Sequence, residues 1–330
     1  MKVCIVGAGG IGATLGGRLA ARGHAVSLVA RGAHLQALRA NGLTLVDHVN
    51  GGRATHALPA SDDPADLART QGTADLVIVG LKAHSIAPML PKLTPLLAAH
   101  TAVVPAINGL PWWYFHREGG PLDGSVPRAL DPAGSMFAAL DPARIVGCVV
   151  HIAAEVRAPG EVHYTGGRKL LLGEPDRSQS ARLQAIRDAL VEAGFEIELP
   201  ADIRQAVWWK LIGNLSFNPV AALTGYLMNQ ICGDEQVLLV IRATMREAMQ
   251  VSAWLGHPIE MTPDQRIDVA RHLGAARISM LQDLEQRRPL ELDAIVGAVL
   301  ELGAHAGIAM PATQLVYNLT LARARALGIA

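Results

Sequence analysis

The sequence predicts an α/β protein in two parts: an N-terminal domain built on a parallel sheet, then an all-α C-terminal domain. Three observations carry this. Strand-like and helix-like segments alternate through the first half, the pattern of a parallel sheet covered on both faces. The first strand runs directly into a glycine-rich turn that opens a helix. After Asp202 long helical patterns dominate, with no strand candidate of similar quality. A chain of 330 residues also exceeds one ordinary hydrophobic core. We place residues 1–200 in the first domain and 201–330 in the second, with the boundary near 199–202.

The elements follow in order. Residues 2–6, Lys-Val-Cys-Ile-Val, are a short β-branched run. Residues 11–22 read as a helix stopped by Gly23. Residues 25–29 form a second strand, and 76–79 and 102–104 are further short apolar runs. Pro111-Trp112-Trp113-Tyr114-Phe115 is an aromatic cluster that leads into a turn-rich stretch with Gly119, Gly120, Pro121, Gly124, Pro127 and Pro132. This segment is either a packed excursion or a lid over a site. Strands return over 145–172, with Pro159-Gly160 as the turn between two alternating runs. Helical patterns then cover 203–215, 236–255, 263–286, 290–306 and 313–327.

Composition removes several function classes. Lys plus Arg equals Asp plus Glu at 29 each, and aromatic residues are only 4%. Neither an electrostatic nucleic-acid surface nor a base-stacking platform is indicated. Cys4, Cys148 and Cys232 are odd in number and widely spaced, with no CxxC pair. This argues against a disulfide framework or a zinc site and for a reducing cytoplasm. The N-terminus carries no secretion-signal pattern, and no apolar run approaches bilayer length. A cytoplasmic protein with no membrane or nucleic-acid partner is expected.

Gly7-Ala8-Gly9-Gly10-Ile11-Gly12 fits G-x-G-x-x-G between a strand and a helix. Gly7 permits the tight turn, Gly9 lets a pyrophosphate approach the backbone, and Gly12 lets helix and strand pack closely. Helix N-terminal amides then hold the anion. The second strand ends at Val29-Ala30-Arg31, where an NAD site usually offers a carboxylate to the ribose. No acidic residue appears before Asp47, whereas Arg31 supplies a charged fork for a 2′-phosphate. NADP is the expected cofactor.

In the second half, Lys210, Asn214 and Asn218 recur at i, i+4 and i+8 on an otherwise apolar helix. A solvent-facing stripe is the plain reading. Such stripes favour better helix formers than Asn, so a polar wall lining a cleft is the alternative. Ser279 alone reads as a helical surface hydroxyl. Glu291, after Pro289, alone reads as a helix-dipole residue.

Six elements taken together resemble the ketopantoate reductase family. They are the glycine loop, Lys82 in Leu81-Lys82-Ala83, Asn108-Gly109, and the run Lys210/Asn214/Asn218-Pro219. Ser279-Met280-Leu281-Gln282-Asp283 and Glu291-Leu292-Asp293 complete the set, and Gly307-Ile308 before Pro311 resembles the family's last helix junction. The resemblance implies a Rossmann-type domain, a helical domain like the C-terminal part of 6-phosphogluconate dehydrogenase, and a site between them. It implies NADPH-dependent reduction of a 2-keto acid, ketopantoate first among them. Lys210 would be the proton donor and Glu291 would hydrogen-bond near cofactor and substrate. Asn108, Asn214, Asn218 and Ser279 would hold the substrate. Asn108 would also touch the cofactor, as would Gly7, Ala8, Gly9, Gly10, Ile11, Gly12, Arg31, Lys82, Ala154 and Glu291. No metal is called for, and a homodimer is allowed without being dictated.

Two departures bear on the substrate. The loop after Asn108 is longer and more aromatic than in compact members. Met228, with Asn229 beside it, stands where the family often has a further substrate-contacting Asn. We therefore expect residues 111–131 to shape the substrate pocket, with Trp112 or Trp113 beside Lys210 and Asn214, which leaves room for a substrate bulkier or more apolar than ketopantoate, or for a different keto acid altogether. The competing readings are a related dehydrogenase acting on another hydroxy acid or an imine, and a non-catalytic NADPH sensor. A sensor has no need of a proton donor.

Overall fold

The structure, a computed structural model, describes residues 1–329. The chain divides into two compact units. Residues 1–107, 113–125 and 134–203 form one, and 108–112, 126–133 and the chain from 204 onward form the other.

The first unit holds two sheets. Strands β1 (Lys2–Val6), β2 (Ala25–Val29), β5 (Ala60–Ser61), β6 (Ala74–Val79) and β7 (Leu97–Pro105) pair in the order β5-β2-β1-β6-β7, all parallel. Val3, Cys4, Ile5 and Val6 are all buried, as a strand covered on both faces requires. The strand order reverses on either side of β1, which makes the carboxyl end of β1 a topological switch point.

The second sheet is an addition to what the sequence predicts. Its order is β10-β9-β3-β4, with β8 paired to β9. The hairpin β8 (Gly147–Ala158) and β9 (Glu161–Gly173) turns at Pro159-Gly160, where the alternating runs placed it. β3 (Leu43–Asp47), β4 (Arg53–His56) and β10 (Glu196–Glu198) complete it. β3 and β9 pair Thr44 with Glu161. Such a long-range pairing leaves no trace in local periodicity.

Helix α1 (Gly10–Ala20) lies between the two sheets and packs on both through glycines. A Cβ at Gly16 would meet Ile5 of β1 at 2.9 Å, and one at Gly17 would meet Leu43 and Leu45 of β3 at 3.4 Å. From α1, Arg18 pairs with Asp47, donates from Nε to the Ala193 carbonyl at 2.6 Å, and lies 5.3 Å over the Phe195 ring. Around the sheets stand α2 (Gly32–Asn41), α3 (Pro64–Gln71), the short α4 (Met136–Ala139) and α5 (Ala181–Glu192).

The aromatic cluster is core, not cover. Trp112, Trp113, Tyr114 and Phe115 are all 2% exposed or less. The Trp113 ring lies so close to Gly147 of β8 that a Cβ there would sit 2.6 Å from it. Farther on, Glu301 accepts the backbone N–H groups of Arg128 and Ala129, each at 2.9 Å. These rings are buried in the interior and not presented on an exposed loop. Apolar rings without a ligand bury themselves against the nearest apolar surface, and the segment after them is tied down by a carboxylate.

The helical unit comprises α6 (Ile203–Thr224, from Arg204 onward), α7 (Met228–Gly233), α8 (Glu235–Trp254), α9 (Pro263–Arg271), α10 (Ser279–Glu285), a π-helical turn (Asp293–Gly297), α11 (Ala298–Ala306) and α12 (Pro311–Ala326). Two expectations change. α6 continues past 215 through Pro219, because Val220, Ala221 and Ala222 are buried and packing outweighs the lost hydrogen bond. The 263–286 pattern is broken over 272–278, where Gly274 takes φ +57° and the Ala276 carbonyl accepts the Met228 N–H at 3.1 Å. Caps fix several starts: Thr262 and Gln265 form a capping box on α9, and Glu247 accepts the N–H groups of Ala312 and Thr313 at the head of α12.

All three cysteines are free and buried, and burial pushes the Cys4 thiol up to about 11. A thiol held protonated acts as a small hydrophobe. Among the described residues, no helix is long and apolar enough to cross a membrane.

Because Trp113 fills the space over Gly147, Trp113→Ala is expected to cost about 3–5 kcal/mol of stability. Urea unfolding of the two proteins checks this. A loss under about 1 kcal/mol would mean that the ring is not a structural anchor.

Candidate functional site

The glycine loop leaves the carboxyl end of β1 at the switch point. Gly7 has φ +101°, and a Cβ there would meet the Gly80 carbonyl oxygen at 2.8 Å. A Cβ at Gly12 would lie 2.1 Å from the Gly7 carbonyl oxygen, and one at Gly10 would lie 2.3 Å from the Ala154 carbonyl oxygen. At Gly9 nothing stands within 4 Å of that position. Three glycines are therefore demanded by close backbone contacts, and the fourth faces open space. Gly9 is also the N-cap of α1 and has no side chain to cap it. The first-turn amides of such a helix look for an external acceptor. This cradle has the shape and polarity that a pyrophosphate needs.

Other candidate residues follow the carboxyl ends of neighbouring strands, where open α/β sheets bind ligands. Arg31 comes just after β2, is exposed, and N-caps α2 through its extended backbone. Lys82 follows β6, half-buried, at the start of a 3-10 turn. Ala154, on β8, presents its carbonyl to Gly10. Loop, Arg31, Lys82 and Ala154 all belong to the first unit.

Asn108 follows β7 but belongs to the helical unit, and its surroundings explain why. Gly109 takes φ +83°, and a Cβ on it would meet the Ala294 carbonyl oxygen at 2.6 Å. That same carbonyl accepts the Leu110 N–H at 2.8 Å. Ala294 lies in the π-helical turn, whose wider winding frees a carbonyl from the helix ladder, a feature frequent at functional sites. The turn begins directly after the buried Glu291 and Leu292, and the Glu291 carbonyl accepts the Ile295 N–H at 3.1 Å. The backbone of 108–110 is thus docked on Ala294, three residues after Glu291.

The side chains then meet. Lys210 Nζ donates to Asn108 Oδ1 at 2.7 Å, half-buried, across 102 residues of sequence. An ammonium–amide bond orients the cation, since the carbonyl end of the amide must face it. Asn214, one turn on along α6, is half-buried; Asn218, one turn further, is 4% exposed. The Asn218 Nδ2 is buried without a hydrogen-bond partner. Leaving such a donor unpaired costs about 1–3 kcal/mol, so the position is one that a ligand acceptor would relieve. Ser279 is the first residue of α10 and half-buried. Neither it nor Asn214 has a side-chain hydrogen bond among the described residues. The structure therefore joins Lys210 to Asn108 and the 108–110 backbone to the π-helical turn after Glu291, and among the described residues Asn214 and Ser279 have no side-chain hydrogen bond and Asn218 Nδ2 has no partner.

Sequence reasoning missed Ala294 and His34. The only signal for Ala294 was the Asn-Gly pair at 108–109, which asks for a partner surface. His34 sits in the first turn of α2 with Nε2 2.8 Å from the Ala8 carbonyl oxygen, and nothing in its neighbourhood marked it.

Comparison with known proteins shows the family. Residues 3–177 match the family described as ketopantoate reductase PanE/ApbA, and residues 202–324 match its C-terminal model. A 2-dehydropantoate 2-reductase of Mesorhizobium japonicum is 44% identical over 304 residues, covering 92% of this chain and 91% of that protein. A crystal structure from Ralstonia solanacearum MolK2, provisionally assigned as a ketopantoate reductase, superposes with a TM-score of 0.93 at 40% identity, covering 100% of this chain and 99% of the other. D-mandelate dehydrogenase, solved with NADH and anilino(oxo)acetate, shares the fold at 21% identity with a TM-score of 0.86 over 100% of both chains.

The orphaned amide of Asn218 gives a test. Asn218→Leu, similar in size and lacking the donor, is expected to stabilise the ligand-free protein by about 1 kcal/mol and to weaken substrate binding. Thermal unfolding and the substrate KM check the two halves. A variant less stable than the parent would show that the amide is already satisfied.

Proposed function

We propose that this chain, which belongs to the ketopantoate reductase family, reduces 2-dehydropantoate to pantoate with NADPH. The observation that carries the reading is the Lys210–Asn108 pair held against the Glu291 turn. It is supported by a glycine cradle fit for a pyrophosphate in the other unit. A nicotinamide dinucleotide held by its pyrophosphate at Gly7, Ala8, Gly9, Gly10, Ile11 and Gly12, with Lys82 and Ala154 beside it, would supply the hydride.

The chain's own residues do the rest. Negative charge grows on the ketone oxygen as its carbon is reduced. The Lys210 ammonium stabilises that charge and then transfers a proton to it. Asn108 Oδ1 fixes the direction of Nζ, so the cation need not reorganise during the reaction. Asn214, Asn218 and Ser279 hold the substrate's hydroxyl and carboxylate. Glu291 hydrogen-bonds near cofactor and substrate. Arg31 receives the 2′-phosphate, and the absence of a carboxylate at the end of β2 disfavours NADH. The 44% identity to a 2-dehydropantoate 2-reductase supports ketopantoate as the keto acid.

Two measurements test this. Lys210→Ala is expected to lower kcat with ketopantoate by about 10²–10⁴ while NADPH affinity changes little. Normal turnover per folded molecule would return the 210/214/218 stripe to an ordinary solvated face. Arg31→Ala is expected to weaken NADPH binding by about 10- to 100-fold and NADH binding far less, since a charge-assisted phosphate contact is worth roughly 1.5–3 kcal/mol. Equal loss for both cofactors would remove Arg31 from the phosphate site.

A further inference from the structure

From α2, the His34 side chain ties the glycine loop to the β8–β9 hairpin. It lies in the first turn of α2, three residues after Arg31. The Gly160 N–H donates to its Nδ1 at 3.0 Å. Nδ1 is therefore the acceptor, the ring is neutral, and the proton sits on Nε2, which donates to the Ala8 carbonyl oxygen at 2.8 Å. Burial lowers the imidazole pKa, in keeping with a neutral ring.

Both ends of this bridge are fixed. Gly160 is buried with φ +78°; its carbonyl accepts the Thr44 N–H at 2.8 Å, and a Cβ on it would meet Ala37 of α2 at 3.1 Å. The hairpin turn cannot drift from α2. At the other end, Ala8 donates its own N–H to the Val29 carbonyl at 3.1 Å and precedes Gly9, the N-cap of α1. The hairpin that carries Gly160 also carries Ala154, whose carbonyl abuts Gly10. The loop is thus gripped twice from β8–β9, once by direct contact and once through the imidazole.

A glycine-rich turn left to itself samples many backbone conformations, and glycine loses more freedom on ordering than any other residue. Only some of those conformations aim the amides of 9–12 at one point. We propose that His34 is a positioning residue for the dinucleotide: it fixes the Ala8 peptide so that the amides after it converge on the pyrophosphate. The proposal rests on the reading of this loop as a dinucleotide site. A staple that served the fold alone would make the same two hydrogen bonds and leave affinity untouched.

ADP-ribose separates the cases, because it carries the pyrophosphate without the nicotinamide or a 2′-phosphate. Its binding to the full-length protein is measured by calorimetry. His34→Ala is expected to raise the ADP-ribose Kd by about 10-fold, the order expected for losing an ordered pair of hydrogen bonds. His34→Gln, whose amide offers one donor and one acceptor, is expected to recover most of that loss. The KM for NADPH should rise by a similar factor, with a smaller change in kcat. Should His34→Ala fold poorly, His34→Leu gives the same comparison with the space filled. Unaltered ADP-ribose affinity in either variant, with only a lowered melting temperature, overturns the proposal and leaves His34 a structural staple. A wild-type protein that does not bind ADP-ribose at all overturns the dinucleotide reading itself, and the proposal with it.

Discussion

The contact between Gly12 and the Gly7 carbonyl, where a Cβ would lie at 2.1 Å, is the constraint from which the first unit follows. It brings the start of α1 against the end of β1. Gly16 and Gly17 continue the approach on two sides, so that one helix serves as the filling of two sheets. Side chains at these positions would separate the layers and open voids that a close-packed interior does not tolerate. The same closeness sets the direction of the helix axis and so points its amide end outward from the switch point. Core packing and ligand geometry are here one requirement, met by leaving side chains out.

Much of this was legible in the sequence, for identifiable reasons. The glycine loop was readable because steric demands on φ and on close approach fall on single residues. The turn at Pro159-Gly160 and the β-branched strands were readable because each is a local pattern. The Lys210/Asn214/Asn218 stripe was visible as a periodicity, although its alternative, a solvated face, had the same periodicity. The Asn108 partner, which meets Lys210 across 102 residues, is encoded by no local pattern.

Features that stayed hidden depend on distant partners. The β3–β9 pairing, the π-helical turn at 293–297 and the break over 272–278 are each set by what packs on them. The passage of α6 through Pro219 shows burial outweighing propensity, as does the disappearance of four aromatics into the interior. Composition alone could not show that these rings are buried, because packing decides it. Glu301 makes the same point with a charge. On a helix it reads as surface, yet it holds two backbone amides of a segment 172 and 173 residues earlier.

The helical unit is not encoded by one stretch of sequence. Residues 108–112 and 126–133 are lent to it from within the span of the first unit, so the chain passes from one unit to the other five times. A fragment beginning at residue 204 would carry Lys210 without Asn108, and Glu301 without the amides it accepts. The two halves are thus not interchangeable modules. A gene fusion or exchange joined at the 203/204 boundary would pair a lysine with a foreign asparagine loop. Lineages with this connectivity are expected to inherit both parts together and to diversify by point substitution rather than by shuffling.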